Sequence, residues 1–315
     1  MKVLVLTSPA DVPGRADTDD TFVQAEEIAA SLRALGHQPL LHPYTRGHEF
    51  VAIASSAPDL VFNLVEDLPE GPDQLHNVTR FLDLRALPYT GAGSEALRLL
   101  GNKPVMKSKL RAAGLLVPPG LGEAGDDARY IVKSAIEHAS LGLSAENVVT
   151  GAGAALLMIA KREAEFGGQW FAEAYIDGRE FNVAILDGGP AGPAVLPIAE
   201  ILFTDHHGDT PRIVGYAEKW DVESHAFKTT PRVFTAREEP LFTELERLAL
   251  TAWELFGLTG YARVDFRVDR TGRTYILEVN ANPCLAADAG FCAAAAEQGL
   301  SQTDVVARLL KAAKA

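Results

Sequence analysis

The chain has 315 residues, 47% hydrophobic and 23% charged, with a formal net charge of −13. That length suggests two or three cooperating units able to bury a sizeable core, and the acidic balance argues against a nucleic-acid binder, which needs a basic surface to replace counterions on phosphate. Cys284 and Cys292 form neither a disulfide framework nor a zinc site, which points to a reducing compartment, and no apolar stretch nears a membrane span, so the expected location is the cytoplasm, away from membranes.

Residues 2–7 (KVLVLT) read as a buried first strand, too short an apolar run for a signal peptide. A helix is predicted from about Asp20 to Leu35, where Gly36 stops it. Strands follow at 38–44 and 57–65, then a helix over 73–86 and a short strand at 87–93 running into a glycine turn. Alternating strands and helices predict a parallel sheet with crossover connections, placing a first α/β domain over 1–97. Residues 98–167 read as a small α+β unit: one Lys- and Leu-rich helix from 98, a strand at 129–134 (RYIVKS), a stretch of small residues at 139–144 and a helix within 147–167. The rest, 168–315, opens on two strands joined by a turn at Asp177–Gly178. Segment 201–235, rich in Asp, His, Gly, Thr and Pro, reads as an active-site loop region. A helix over 239–256, two alternating strands (YARVDFRVD and TYILEVN) joined at RTG, and a helix over about 302–314 complete the chain.

The strongest chemical signal is that hairpin. Arg263 and Asp265 are two residues apart and share a strand face, as do Glu278 and Asn280. The turn between the strands brings the two pairs side by side. Two carboxylates and an amide oxygen are hard ligands suited to Mg²⁺, which takes few protein carboxylates and completes its shell with water and phosphate oxygens. The pattern therefore suits a metal that escorts a nucleotide. Spacing alone equally suits a solvated strand face laced with ion pairs.

ARVDFRVDRTGRTYILEVNANP resembles the magnesium-binding hairpin of the D-alanine–D-alanine ligases, within the ATP-grasp superfamily, where R-x-D precedes E-x-N and a proline. LPYTGAGSEALRLLGNK at 87–103 is similar to the approach to that family's first nucleotide lysine. YIVKSAIEHASLGLS at 130–144 resembles its second lysine strand and phosphate loop. FAEAYIDGREFNVAIL at 171–186 resembles its adenine hinge, and YAEKW a later lysine strand. These motifs keep their order along the whole chain. The resemblance implies an α/β, three-domain ATP-grasp architecture with an N-terminal parallel-sheet (pre-ATP-grasp) domain, small-molecule substrates, and ATP with Mg²⁺ or Mn²⁺. A homodimer is a further family expectation.

Residue by residue, the resemblance assigns Lys103 and Lys133 to the nucleotide phosphates, although a solvated helix is the commoner place for a lysine such as Lys103. It assigns Glu173, Ala174 and Ile176 to the adenine hinge, Glu180 to the ribose hydroxyls and Lys219 to the transferred phosphate. Asp265, Glu278 and Asn280 become metal ligands, and Arg263 the stabiliser of a tetrahedral oxyanion. Ser140, Leu141 and Gly142 fall in the loop that closes over the phosphates.

The departures concern substrate contacts. Cys284 stands where the family has glycine after the metal-strand proline, Ala289 where a serine holds a substrate carboxylate, Ala139 where a serine reaches the first substrate, and Trp220 where tyrosine follows the lysine. The N-terminal signature that supplies a glutamate is missing, with Asp19, Asp20 or Thr21 near its place, and His138 is a candidate substrate contact or a solvated loop residue. Cys284 is a small buried thiol or a substrate contact, with no base motif beside it to make it a nucleophile. The expectation is an amino-acid or peptide ligation acting through an acyl phosphate, with pockets altered from those of D-alanyl-D-alanine synthesis. The alternatives are another ATP-grasp chemistry, such as phosphotransfer or carboxylation, and a nucleotide-binding protein without catalysis.

Overall fold

A computed structural model describes residues 1–9, 16–45, 53, 55–68, 71–136, 140, 142–188, 191–205, 209–216, 218, 221, 223–234 and 240–313. The first unit follows from short apolar strands and a helix whose Ala25, Ile28 and Leu32 pack in their core. Strands β1 (Lys2–Thr7), β2 (Gln38–Pro43) and β3 (Leu60–Leu64) form a parallel sheet in the order β2-β1-β3, with helix α1 (Ala16–Ala34) crossing between β1 and β2. The central strand β1 is buried from Val3 onward, and β3, an outer strand in that order, is buried along its length, with Val61 bridging Tyr89. Helix α2 (His76–Asp83) follows. The strand expected at 87–93 does not form: Tyr89 makes an isolated parallel bridge to Val61, and the chain turns away at Gly91.

The single helix expected from residue 98 is two helices, α3 (Ser94–Leu100) and α4 (Lys103–Ala112). The break has a local cause. Asn102 takes extended backbone and its side chain accepts from the Val105 N–H at 3.1 Å, while Pro104 sits in the first turn, where its missing N–H does no harm. Strands β4 (Arg129–Ser134) and β5 (Val148–Thr150), helix α5 (Ala152–Phe166) and strand β6 (Trp170–Ala174) make a small antiparallel sheet in the order β5-β4-β6 with α5 packed on it. The two strands read on either side of Asp177–Gly178 are therefore not a hairpin: β6 pairs with β4, and the next strand, β7 (Gly178–Asp187), belongs to another sheet.

That larger sheet adds β8 (Pro193–Val195), β9 (Ala199–Ile201), β10 (Arg232–Phe234), β11 (Tyr261–Asp269) and β12 (Thr274–Ala281), antiparallel in the order β10-β9-β7-β11-β12 with β8 beside β7. Short helix α6 (His225–Lys228) precedes β10, and α7 (Pro240–Phe256) precedes β11. Apolar residues on one face of β7 and β11 (Phe181, Val183, Val264, Phe266) bury against Phe242, Leu245 and Ala249 of α7. Alternation along a strand therefore presents the polar residues Glu180, Asn182, Arg263, Asp265 and Arg267 on the other face. Helices α8 (Gly290–Glu297), which lies in a segment not read as helical, and α9 (Gln302–Ala312) close the chain. Val305 and Leu309 of α9 share a core with Ile28 of α1, Phe62 of β3 and Tyr261 of β11, which fixes the N-terminal sheet to the large one.

Candidate active site

The polar face of β7, β11 and β12 is built by register. Asp265 lies opposite Glu278 on one side and Asn182 on the other, and Arg263 lies opposite Asn280. The four hairpin residues picked out by spacing are thus direct cross-strand partners, the closest arrangement a sheet allows. Both Asp265 oxygens are engaged. Oδ1 accepts from Arg263 Nε at 2.7 Å and Asn182 Nδ2 at 2.8 Å, and Oδ2 from Arg263 Nη2 at 2.9 Å and Asn280 Nδ2 at 3.0 Å. Burial works against the Arg263 charge, but this bidentate carboxylate, with Glu278 and Glu180 beyond it, holds the guanidinium more firmly protonated than an ordinary arginine. A bulge after Asp265 shifts the pairing and twists the strand next to the cluster.

Helix α4 brings the lysines. Lys103, its first residue, places Nζ 3.1 Å from Glu278 Oε1. One turn on, Lys107 reaches Glu173 Oε2 at 2.8 Å and donates to the Leu277 carbonyl at 2.7 Å. From β4, Lys133 meets the other Glu173 oxygen at 3.0 Å. Glu173, expected at the adenine hinge, directs its carboxylate into this buried lysine pair and is only 1% exposed. Burial pushes that carboxyl up, yet the attraction of Lys107 and Lys133 outweighs it and leaves it below the usual carboxylate range. Burial lowers the Lys107 pKa despite Glu173. Lys107 was not singled out from sequence. The available signal was its position four residues after Lys103, hence on the same helix face.

Glu180, expected at a ribose, accepts from Arg267 Nε at 2.9 Å. Arg267 also donates to the carbonyls of Gly178 at 3.2 Å, of Ile176 at 3.5 Å and of Arg212, and its guanidinium lies over the Phe203 ring at 5.1 Å. It too was missed, although it shares a strand face with Asp265. Ala174 uses its N–H on the Pro119 carbonyl at 2.7 Å. Ser140 and Gly142 lie in the turn before β5, both at positive φ (62° and 69°). Glycine is required at 142, because a β-carbon there would stand 2.9 Å from the Trp170 ring. The Tyr216 N–H donates to the Leu143 carbonyl at 3.2 Å, tying the 210s segment to this turn. Cys284, half-buried, accepts from the Ala286 N–H at 3.4 Å. His138, Ala139, Leu141, Lys219 and Trp220 lie outside the described residues, as does the side chain of Asp19.

Among the described residues no three His, Cys, Asp or Glu side chains gather into a metal site; the oxygen set of the polar face is Asp265, Glu278 and the Asn280 amide. Residues 129–311, more than half of the chain, match the family model described as the D-ala D-ala ligase C-terminus. The chain is 30% identical to a D-alanine–D-alanine ligase of Moorella thermoacetica, covering 98% of each. It is 29% identical to a protein of Sinorhizobium fredii described as uncharacterized protein y4sG, covering 92% of this chain and 87% of that one. A D-alanine–D-alanine ligase of Bacillus anthracis, solved in complex with ATP, superposes over 99% of this chain and 97% of its own, with a TM-score of 0.76 at 18% identity. The chain belongs to the D-alanine–D-alanine ligase family of the ATP-grasp fold, and it is an ATP-dependent ligase that forms carbon–nitrogen bonds.

Proposed function

We propose that this enzyme joins the carboxylate of one amino acid or short peptide to the amine of another through an acyl phosphate. One cluster carries the reading: Arg263 and two facing carboxylates on neighbouring strands, with Lys103 Nζ 3.1 Å from Glu278. Lys103 and Lys133, with Lys219 from the 210s segment, would bind the ATP phosphates; Ala174 and Ile176 would meet the base, Glu180 the ribose, and the turn at Ser140 and Gly142 would exclude water. The substrate carboxylate attacks the γ-phosphorus and ADP leaves. The second substrate's amine then attacks the acyl carbon, phosphate leaves, and the amine sheds a proton. Arg263 spends Nε and Nη2 on Asp265, leaving Nη1 for the oxyanion that forms between these events.

Asp265, Glu278 and Asn280 are hard oxygen donors that fit Mg²⁺ or Mn²⁺, and one of the hydrogen bonds now made to Asp265 would turn aside to admit it. When bound, the ion neutralises phosphate charge. Substrates that differ from two D-alanines fit Ala289, Ala139 and Trp220, which replace side chains that the family devotes to substrate, and Cys284, which adds a side chain where the family has glycine; Asp19, His138, Trp220 and Cys284 are the proposed contacts. A cytoplasmic homodimer belongs to the same reading; no helix among the described residues is long and apolar enough to cross a membrane. The test is ADP release across pairs of amino acids and dipeptides, with and without Mg²⁺, and the product weighed by mass spectrometry. Ligation requires ADP release that depends on an acid–amine pair and on the metal, with an amide of the summed mass less water. ADP release indifferent to the amine would refute it.

A further inference from the structure

Arg267 of β11 and Glu180 of β7 lie directly opposite each other in the sheet, and both are buried. A buried ion pair is a poor source of stability, because desolvating two charges offsets much of their attraction. What distinguishes this pair is its order. Nε and Nη2 of Arg267 both reach Glu180 Oε2, at 2.9 and 2.6 Å. Nη1 donates to the carbonyls of Gly178 and Ile176, at 3.2 and 3.5 Å, and Nη2 also to that of Arg212. All five N–H bonds of the guanidinium therefore have acceptors, and its flat face rests on the Phe203 ring at 5.1 Å. The acceptors come from the link between β6 and β7, from β7 itself and from the 210s segment. That segment is pinned to the same link a second time, where the Arg212 N–H donates to the Tyr175 hydroxyl at 2.7 Å. Glu180 Oε1, in contrast, makes no hydrogen bond among the described residues. One oxygen of a buried carboxylate is spent inside the protein and the other is kept.

We propose that Arg267 is a positioning residue for the nucleotide: it holds Glu180 by one oxygen, and the Ile176 carbonyl beside it, so that Oε1 is a fixed acceptor for a ribose hydroxyl and the enzyme selects ribonucleotides over deoxyribonucleotides. This rests on the reading above that places ATP on Glu180 and Ile176. A carboxylate free to swing would turn its oxygens to water when the hydroxyl is missing. One gripped by a two-pronged cation cannot turn, so a deoxynucleotide leaves a buried acceptor unpaired. Arg267 spends every donor inside the protein, so it acts through Glu180 and not on the nucleotide itself.

The experiment is calorimetry on the full-length enzyme with Mg²⁺ and ATP, 2′-deoxyATP or 3′-deoxyATP, for wild type and the Arg267→Met, Arg267→Lys and Glu180→Ala variants. Wild type binds at least one of the deoxynucleotides roughly 10- to 100-fold more weakly than ATP. Arg267→Met cuts that ratio to about threefold or less. Arg267→Lys keeps a charge on Glu180 but loses the planar fork, and its ratio is intermediate. An arginine that only braced the fold would, when replaced, weaken all three nucleotides alike and leave the ratio as in wild type. If both Arg267 variants keep the wild-type ratio while Glu180→Ala loses it, the proposal is wrong and the ribose reading stands. Should the methionine variant not fold, the lysine variant decides alone, and an undiminished ratio in it overturns the proposal. If Glu180→Ala keeps the wild-type ratio, or wild type does not discriminate, Glu180 does not meet the ribose and both readings fall.

Discussion

Replacing Lys107 with methionine tests whether the buried charges under the site are balanced as a group. The substitution keeps the stem and removes the ammonium. It deletes the 2.8 Å ion pair to Glu173 and the 2.7 Å hydrogen bond to the Leu277 carbonyl. Breaking a buried pair from one side costs about 3–5 kcal/mol, and a hydrogen bond from a charged donor about 1.5–3 kcal/mol, but one ammonium makes both, so the terms overlap. Lys133 still neutralises Glu173 at 3.0 Å, which places the expected loss near 3 kcal/mol, the low end. Trp170, on the same strand as Glu173, reports the local transition by fluorescence during urea unfolding. The acid limb gives an independent sign. The Glu173 carboxyl is held below its ordinary value of 4.5, so its contribution is fully present above that pH and is lost as pH falls through the lower folded value. With Lys107 gone, the burial that raises this pKa is opposed by Lys133 alone, and acid unfolding must begin at higher pH. Replacing Glu173 with leucine in the Lys107→Met background should recover at least half of the loss. A single variant within about 1 kcal/mol of wild type would mean that desolvation cancels the attraction, and the balance argued for this network would be wrong.

Three further outcomes follow from other parts of the molecule. Arg263→Ala lowers ligation by about 10²- to 10³-fold while nucleotide affinity, measured by calorimetry, changes little; equal loss of both would deny it the oxyanion role. Gly260→Ala forces a β-carbon to 2.8 Å from the Gly91 backbone at φ +73°, so the melting temperature falls by an amount matching about 1–3 kcal/mol, and an unchanged melting curve would contradict the close approach. The Cys292 thiol is pushed up to about 12 by burial, leaving only about one part in 10⁴ thiolate at pH 8. Iodoacetamide at that pH should spare Cys292 in the folded enzyme, as peptide mass mapping would read, and rapid labelling would mean that its site opens.

What could be read from the chain alone divides by how far apart the partners lie. The hairpin cluster was legible because Arg263, Asp265, Glu278 and Asn280 sit on one hairpin with a short turn, where face and register follow from counting. The first sheet was legible for the same reason: each crossover is local and its apolar runs are unbroken. The break between α3 and α4 was written in Asn102 and Pro104 but masked by the Lys- and Leu-rich pattern running through it, and α8 by its run of alanines, which have high helix propensity but no periodicity to reveal a buried face. The pairing of Glu173 with two lysines had no such signal. Its partners come from α4 and β4, 66 and 40 residues earlier, and only the packing of α4 against β12 brings Lys107 to it.

That long-range pairing bears on how the site meets its substrate. Were Glu173 paired with Lys133 alone, its full charge would bind that lysine and hold it back from a phosphate. Sharing the carboxylate with buried Lys107 leaves the less buried Lys133 with uncancelled positive charge: the side chains are 7% and 18% exposed, respectively. The structural cation, Lys107, is satisfied within the protein, and its neighbour Lys133 keeps charge for a ligand. This lets a chain of net charge −13 attract anions at one face without a basic surface. It also makes Lys107→Met a functional test, since handing all of Glu173 to Lys133 must weaken ATP affinity as well as the fold.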